Sequence, residues 1–577
     1  MRRRSIGAEV TEDGVHFRVW APARKSVAIM FDDGEHDLAG EDDGYFSALV
    51  PGVKRYRLRL DGERETYPDP ASRFQPEGPH GPSQVVDASA YRWKHAARDV
   101  RADVIYEMHI GTFTREGTFA AAIEHLPALA DIGITMLEVM PIHEFPGAFG
   151  WGYDGVDLWA PSHLYGEPDD VRAFVDAAHG AGLSVILDVV YNHFGPDGNY
   201  IAQFAPSFFS TTYTNEWGDA INFEGDDASG VREFFAENAA YWIDEFHFDG
   251  LRFDATQSIH DRSATHILGE IAARARAAAG EHKIFLVAED ERQDVRHITE
   301  HGLDALWNDD WHHASRVALG GRIEAYYTDY RGRAQEFVSM AKHGFLYQGQ
   351  RYKWQRMRRG TPSIGIAPRK FICCLENHDQ VANSAHGERL TQLASRGRMR
   401  AMTALLLLQP ATPMLFQGQE LGLPTPFQYF ADHKPELATL VANGRREFLT
   451  QFPSLVNIEP APPHDRATFE ACKLDRTKID ASIAQLYREL LQLRRDEELI
   501  DGAVLSDECF LLRWPSRLLI INLGEALHLD PAPEPLLAPP AGSARWALLW
   551  SSEPVAYEID SEENWRIPRE CALLLAI

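Results

Sequence analysis

Cysteine is scarce in this chain. Five stand in 577 residues, Cys373, Cys374, Cys472, Cys509 and Cys571, an odd number without the closely spaced pairs from which a zinc site or a small disulfide framework is built. A reducing compartment is expected, with no metal and no other cofactor. Positive charge is also in deficit: 57 Lys and Arg face 85 Asp and Glu, a formal net charge of -28. A nucleic acid or an anionic membrane surface would meet an unfavourable field, so neither is expected as a partner. A neutral or cationic substrate fits, although an acidic surface that merely keeps a protein soluble explains the charge equally well.

Long apolar runs are missing as well. The most apolar stretch, Ala401 to Phe416, is broken by Pro410 and Pro413 and falls short of the ~20 residues that span a bilayer. It reads as buried helix, turn and buried strand. Met1 to Val10 carries three arginines with no apolar run behind them, so no secretory signal peptide is expected and a cytoplasmic location is. A G-x-G-x-x-G strand-turn-helix unit is absent too, which removes the usual dinucleotide-binding fold.

What is there is ordinary globular sequence, 45% hydrophobic and 25% charged, too long for one core and long enough for two to four domains. From Gly14 to about Val86, short alternating runs such as Val15 to Trp20 and Ser26 to Met30 are separated by Asp-Gly and Pro-Gly turns, the pattern of a small immunoglobulin-like β-sandwich. A Pro- and Gly-rich stretch, Pro68 to Pro82, follows as a linker draped over the next domain. From Asp103 short apolar runs alternate with amphipathic Ala- and Leu-rich segments, as repeated β-α units require.

Eight strands are expected in that region: Val104 to Ile110, Ile134 to Met140, Ser184 to Val190, Gly250 to Asp254, Ile284 to Ala288, Ala305 to Trp307, Phe371 to Leu375 and Met414 to Phe416. Eight, with helical segments between them, make an α/β fold of the (β/α)8 TIM-barrel type with loop insertions. Helical signal returns at Ile483 to Arg494 and short strands run from Val504 to the C-terminus. The expected division is residues 1–92 for the sandwich, 93–480 for the barrel and 481–577 for a small C-terminal β domain.

In such a barrel reactive groups belong at the C-terminal ends of strands. The third strand ends Asp188-Val189-Val190-Tyr191-Asn192-His193, the fourth reads Gly250-Leu251-Arg252-Phe253-Asp254, the fifth ends in Glu289 and the seventh in Glu376-Asn377-His378-Asp379-Gln380. One strand-end acid is usually a surface charge or a satisfied core group; such groups ending four strands point to one site. Cleaving a glycosidic bond with retention requires a carboxylate nucleophile and a carboxylic acid beside the leaving oxygen. Asp254 and Glu289 fit those roles. Arg252, two residues before Asp254 on the same side of the strand, would hold the nucleophile ionised. Asp379, with His378 and His193, would bind sugar hydroxyls and stabilise positive charge at the anomeric carbon.

Taken in order, Asp188-x3-Asn192-His193, Gly250-x-Arg252-x-Asp254, Glu289 and Asn377-His378-Asp379 resemble the four signature motifs of the α-amylase family, glycoside hydrolase family 13. That resemblance implies Asp254 as nucleophile, Glu289 as acid/base and Asp379 as transition-state stabiliser, supported by Arg252, His193, His378, Asp188, Asn192 and Gln380. It also makes Tyr153, in Gly150-Trp151-Gly152-Tyr153, the platform under the sugar; read alone, a Tyr in a Gly-rich loop serves core packing equally well.

Tyr191 to Tyr200, Trp217 to Phe223, Trp307 to His313, Gly387 to Leu390 and Pro426 to His433 resemble a trehalose-releasing subgroup of that family. The subgroup cuts the α-1,4 bond next to the terminal trehalose of maltooligosyl-trehalose, so that compound or a related α-glucan oligosaccharide is the expected partner. Trp217, Asp309, Asp310, His312 and His313 would then lie near the trehalose-binding subsites. The acids, imidazoles and indoles of Trp307 to His313 suit a wet, stacking sugar cleft, and packing is the alternative.

Three departures stand out. Gln417-Gly418-Gln419-Glu420 ends the last strand where the family has paired acids, Ala382 replaces an expected glycine, and Glu289 to Asp294 is unusually charged. The rival readings are an α-glucan branching or debranching enzyme and, more remotely, a non-catalytic carbohydrate-binding protein.

Overall fold

Eight parallel strands close into a barrel in the computed structural model, which describes residues 3–32, 34–96, 99–384, 386–540, 545–553 and 564–577. Met1 and Arg2 of the arginine-rich opening lie outside the described residues. The barrel strands are β1 (Ile105–Met108), β2 (Met136–Val139), β3 (Ser184–Val189), β4 (Gly250–Phe253), β5 (Phe285–Ala288), β6 (Ala305–Trp307), β7 (Phe371–Cys374) and β8 (Thr412–Phe416), and β8 pairs back onto β1. All eight are the strands expected from the sequence.

Alternation along each strand builds the interior in layers. Ile105, Met136, Ile186, Val287, Ala305, Ile372 and Met414 pack into an apolar plug inside the barrel. Further along come Glu107 and Glu138, paired across β1 and β2, and Asp188 and Arg252, paired across β3 and β4, all buried. A polar layer on an apolar one is what a floor for a reactive site needs.

Gly250 enters β4 at a φ of +159°, and a Cβ there would stand 1.8 Å from the Phe285 carbonyl oxygen of β5, so only glycine lets the two strands meet. The helix Pro168–Ala181 between β2 and β3 starts with Pro at its first turn and with the Asp170 carboxylate accepting the Glu167 amide at 2.8 Å, and stops at left-handed Gly182.

Residues Gly7 to Gln84 supply an eight-stranded antiparallel sheet system around Phe17, Ile29, Tyr56 and Leu58. The Pro- and Gly-rich stretch Pro68 to Pro82 lies within this range, between two strands of the sheet system, and is draped over the barrel domain: Asp69 accepts from the Tyr56 hydroxyl at 2.7 Å, and the Arg73 guanidinium lies 4.4 Å and 4.6 Å from the Trp159 and Tyr241 rings. Beyond the barrel, the helix Ala481–Leu493 leads to a five-stranded antiparallel sheet with Arg517–Asn522 at its centre. Ala401 to Phe416 forms the end of the helix Arg396–Leu408, a turn and β8, all buried but for Pro410. Among the described residues no helix is long and apolar enough to cross a membrane.

Candidate active site

Arg252 is the hub of the carboxylate cluster. Its side chain is 1% exposed, its Nη1 donates to both oxygens of Asp188 at 2.9 Å and to Asp254 Oδ1 at 2.7 Å, and its Nη2 lies 3.6 Å from Glu289 Oε2. The guanidinium also stacks 4.4 Å above the Trp307 ring. One buried cation thus faces three acids, an arrangement only a rigid, always-charged fork can serve.

The two central carboxyls live in different surroundings. Asp254 receives Arg252 on Oδ1 and the Asn192 amide on Oδ2 at 3.0 Å, so both oxygens are tied to donors. Glu289 receives one backbone bond, from Ala255 N at 2.7 Å. Burial pushes its carboxyl well above the ordinary range, and the charges of Asp254 and Asp309 push the same way against Arg252. Two carboxyls in unlike surroundings therefore share one cleft. Asp188 is carried up to about 6 by burial and by Asp254, opposed by Arg252 and the Tyr153 hydroxyl.

Tyr153 is placed by Gly152, whose φ is +100° and whose Cβ would meet the Pro141 carbonyl oxygen at 2.1 Å. Its hydroxyl donates to Asp188 at 2.7 Å and its ring stacks on His378, centroids 5.2 Å apart. His193 sits on Asn192 Oδ1 through Nδ1 at 2.5 Å, and burial lowers its basicity. His378 is the opposite case: burial alone would lower it, but Asp379 and Glu107 lift it to about 9. Asp379 lies with its side chain 52% exposed, 3.5 Å from His378 Nε2. Asp254, Glu289, Asp188, Asn192, His193, Arg252, Tyr153, His378 and Asp379 are all brought together.

The other expected residues are distributed differently. Trp217 is 60% exposed on a loop whose Asn215 amide donates to the Asn192 carbonyl at 2.8 Å, an indole on the rim of the cleft. The Gln380 side-chain oxygen is taken by the Tyr327 hydroxyl. Asp310 is wholly buried and spends its carboxylate on Gln293 at 2.9 Å, Tyr330 at 2.6 Å and the Tyr347 amide at 2.7 Å. His312 and His313 are buried, His313 among Tyr326, Tyr327 and Tyr330. Asp309 alone of this group reaches the cluster: it pairs with buried Arg359 at 3.2 Å, stands at about 7 mainly through burial, and its charge acts on Glu289.

Two acids at the barrel floor escape a strand-end search because they lie inside β1 and β2. Glu107 holds His378, and Glu138 is buried beside it, with no hydrogen-bond partner among the described residues. Burial and the Glu107 charge keep Glu138 well above the ordinary range, hence neutral. The signal was a charged residue within the fully buried runs Ile105 to Met108 and Met136 to Val139. Among the described residues no three His, Cys, Asp or Glu side chains are grouped to hold a metal ion.

The unusual segments have local roles. In Glu289 to Asp294, Asp290 accepts the amides of Arg292 at 3.0 Å and Asp294 at 2.8 Å and lies 3.2 Å from His297. Gln417 bonds the His109 amide and Thr112, Gln419 bonds the Phe416 amide and Tyr487, and Glu420 accepts from Tyr106. Ala382 closes the helix His378–Ala382, and its carbonyl accepts from Arg445. All three segments are spent on holding loops.

The family described as "Alpha amylase, catalytic domain" matches residues 82–219, and one described as a domain of unknown function matches residues 498–572. The chain is 40% identical over 498 residues to a malto-oligosyltrehalose trehalohydrolase of Deinococcus radiodurans, covering 84% of this chain and 82% of that one. It is 39% identical over 517 residues to the enzyme of that name from Saccharolobus solfataricus, covering 87% and 89%. A solved structure of a protein from Salmonella typhimurium, provisionally called an alpha amylase, superposes with a TM-score of 0.88 at 35% identity over 100% of both chains.

Proposed function

Since the chain belongs to the malto-oligosyltrehalose trehalohydrolases of the α-amylase family, we propose that it hydrolyses the α-1,4 bond next to the terminal trehalose of a maltooligosyl-trehalose, with retention, releasing trehalose. The observation that carries the mechanism is the contrast between Asp254, tied to Arg252 and Asn192, and Glu289, pushed up by burial on the other side of the same guanidinium.

In this reading Asp254 attacks the anomeric carbon while Glu289 protonates the leaving oxygen, and Glu289 then takes a proton from the water that opens the glycosyl-enzyme. Asp379 and the cationic His378 ring hold sugar hydroxyls as the oxocarbenium character develops. Tyr153, fixed by Asp188 and His378, is the face on which that sugar rests. His193 and Asn192 line the same side. Trp217 on the rim supplies a stacking surface for the leaving trehalose, and Asp309 is the member of its segment placed to feel that side of the cleft. Asp310, His312, His313 and Gln380 form the wall behind it.

Incubation with maltotriosyl-trehalose and, separately, with amylopectin tests the reading. Free trehalose from the first, with the new reducing end formed in the α configuration by NMR, is the expected result. Changed branch points in amylopectin without trehalose release would instead make the chain a branching or debranching enzyme.

A further inference from the structure

Behind the loops that carry Asp254 and Glu289 lies a second cavity of about 360 Å³, walled by His260, His266, His297 and His301 together with Arg262 and Arg292. Its floor is continuous with the site: Thr256 donates its amide and its hydroxyl to the Glu289 carbonyl, both at 2.9 Å, and Asp290 follows Glu289 directly. The reaction assigned above uses none of these histidines or arginines.

The charges here are unevenly spent. Asp290 is engaged by His297, Asp294 by Arg296 and Asp261 by Arg232. Glu224, nearby, accepts from the Arg262 amide and the Tyr213 hydroxyl. Among the described residues Arg262 and Arg292 make no side-chain ion pair, Arg262 lying 5.8 Å from the Tyr213 ring. His260 stacks on Tyr213 at 4.5 Å; burial and Arg292 lower that imidazole, and Arg262 lowers it further against the charge of Glu224. His266 and His301 stack at 4.3 Å, and His297 and His301 approach to 3.1 Å through their Nδ1 atoms. Because His266 Nδ1 accepts from the Leu268 amide at 3.2 Å, its proton resides on Nε2.

Two cations without acid partners and several imidazole N–H donors, on different walls of one cavity, match a tetrahedral polyanion better than a planar carboxylate, which a single guanidinium satisfies. The lining's three aspartates, Asp261, Asp290 and Asp294, equal its three arginines in number, but each is already engaged as above, which leaves the Arg262 and Arg292 guanidiniums for an occupant. We propose that this cavity binds a phosphate group, free or carried on a hexose, through Arg262 and Arg292 with imidazole N–H donors beside them. The volume exceeds what a bare phosphate fills, which leaves room for a sugar ring.

The test is calorimetric titration of the full chain at constant ionic strength with inorganic phosphate, with glucose 6-phosphate and with glucose, repeated on Arg262→Gln/Arg292→Gln. Saturable binding is expected, weakened at least about ten-fold in the double variant. Turnover of the glucan substrate by that variant reports that it still folds, and the two single variants, each with a smaller loss, stand in if it does not. Equal affinity for the two phosphates makes free phosphate the ligand; tighter glucose 6-phosphate makes it a phosphorylated hexose. No saturable binding of either up to about 20 mM, or binding that both substitutions leave unchanged, overturns the proposal.

Discussion

Glu107 gives both its carboxylate oxygens to His378: Oε1 stands 2.6 Å from ring Nδ1 and Oε2 accepts the backbone amide at 3.0 Å. The bond leaves Nε2 facing Asp379, so the ring is charged and aimed by a residue buried in the barrel floor. With its folded value raised to about 9 from 6.5, the imidazolium is favoured by folding. Its contribution to stability is fully present below about 6.5 and is lost as pH rises through about 9.

Glu107→Gln should therefore lower the His378 pKa and draw the alkaline limb of kcat/KM to lower pH. A loss of about ten-fold at pH 8 with little change at pH 5.5 is expected, one pKa unit being a factor of ten in protonated fraction. Histidine ring NMR separates this from deprotonation of Glu289, and Glu107→Asp should restore part of the shift. An unmoved His378 titration in a folded variant would remove Glu107 from this role.

For Glu289→Gln the expected fall in kcat is about 10² to 10⁴-fold on maltooligosyl-trehalose. On a glycosyl fluoride, whose leaving group needs no proton, the fall should be far smaller. Equal losses on both substrates would mean that Glu289 is not the proton donor.

Arg252→Met leaves Asp188 buried without its cation and deprives Asp254 of one of its two donors. Breaking a buried pair from one side costs about 3–5 kcal/mol, so chemical denaturation should register a loss of that order. Arg252→Lys keeps the charge but has no fork to meet Asp188, Asp254 and Glu289 together, and should retain more stability than activity.

Trp217 tests the rim. Being 60% exposed, its replacement by Ala should leave the unfolding free energy within about 0.5 kcal/mol, while KM for maltooligosyl-trehalose rises about ten-fold through lost stacking. A kcat effect at constant KM would contradict a binding role.

How much of this was legible in the sequence depends on where a residue's signal lies. The eight strands and the polar residues that end them announced themselves, because a short buried apolar run that stops at Asp, Glu or His is what a barrel strand delivering a side chain to its mouth must look like. Glu107 and Glu138 did not, since the layer they form exists only once eight strands close and their register aligns. For Trp307 to His313 the composition was visible but not its direction. That segment enters the helix Asp309–Gly320, whose first turn buries the side chains that a loop would have offered to solvent.

Arg359 ties that segment into the wall of the cleft. Its guanidinium lies 3.2 Å from Asp309 and 3.3 Å from Asp310, 1% exposed and 5.0 Å from the Tyr352 ring. If these acids hold the wall, Arg359→Met strands two buried carboxyls and should remove about 3–5 kcal/mol at pH 7. The sign with pH follows from Asp309, already raised to about 7. An acid whose folded value lies above its unfolded one opposes folding increasingly as pH climbs from about 4 to the folded value, and constantly beyond it. The variant, with Asp309 raised further, should thus recover stability on acidification toward pH 5. Asp309→Asn, which keeps the shape and discards the charge, discriminates the alternatives: a packing role predicts altered stability with KM unchanged, a sugar-binding role a raised KM at wild-type stability. Denaturation at pH 5 and 7 beside steady-state kinetics on maltooligosyl-trehalose reads both, and a raised KM without loss of stability would move Asp309 from the wall into the subsite.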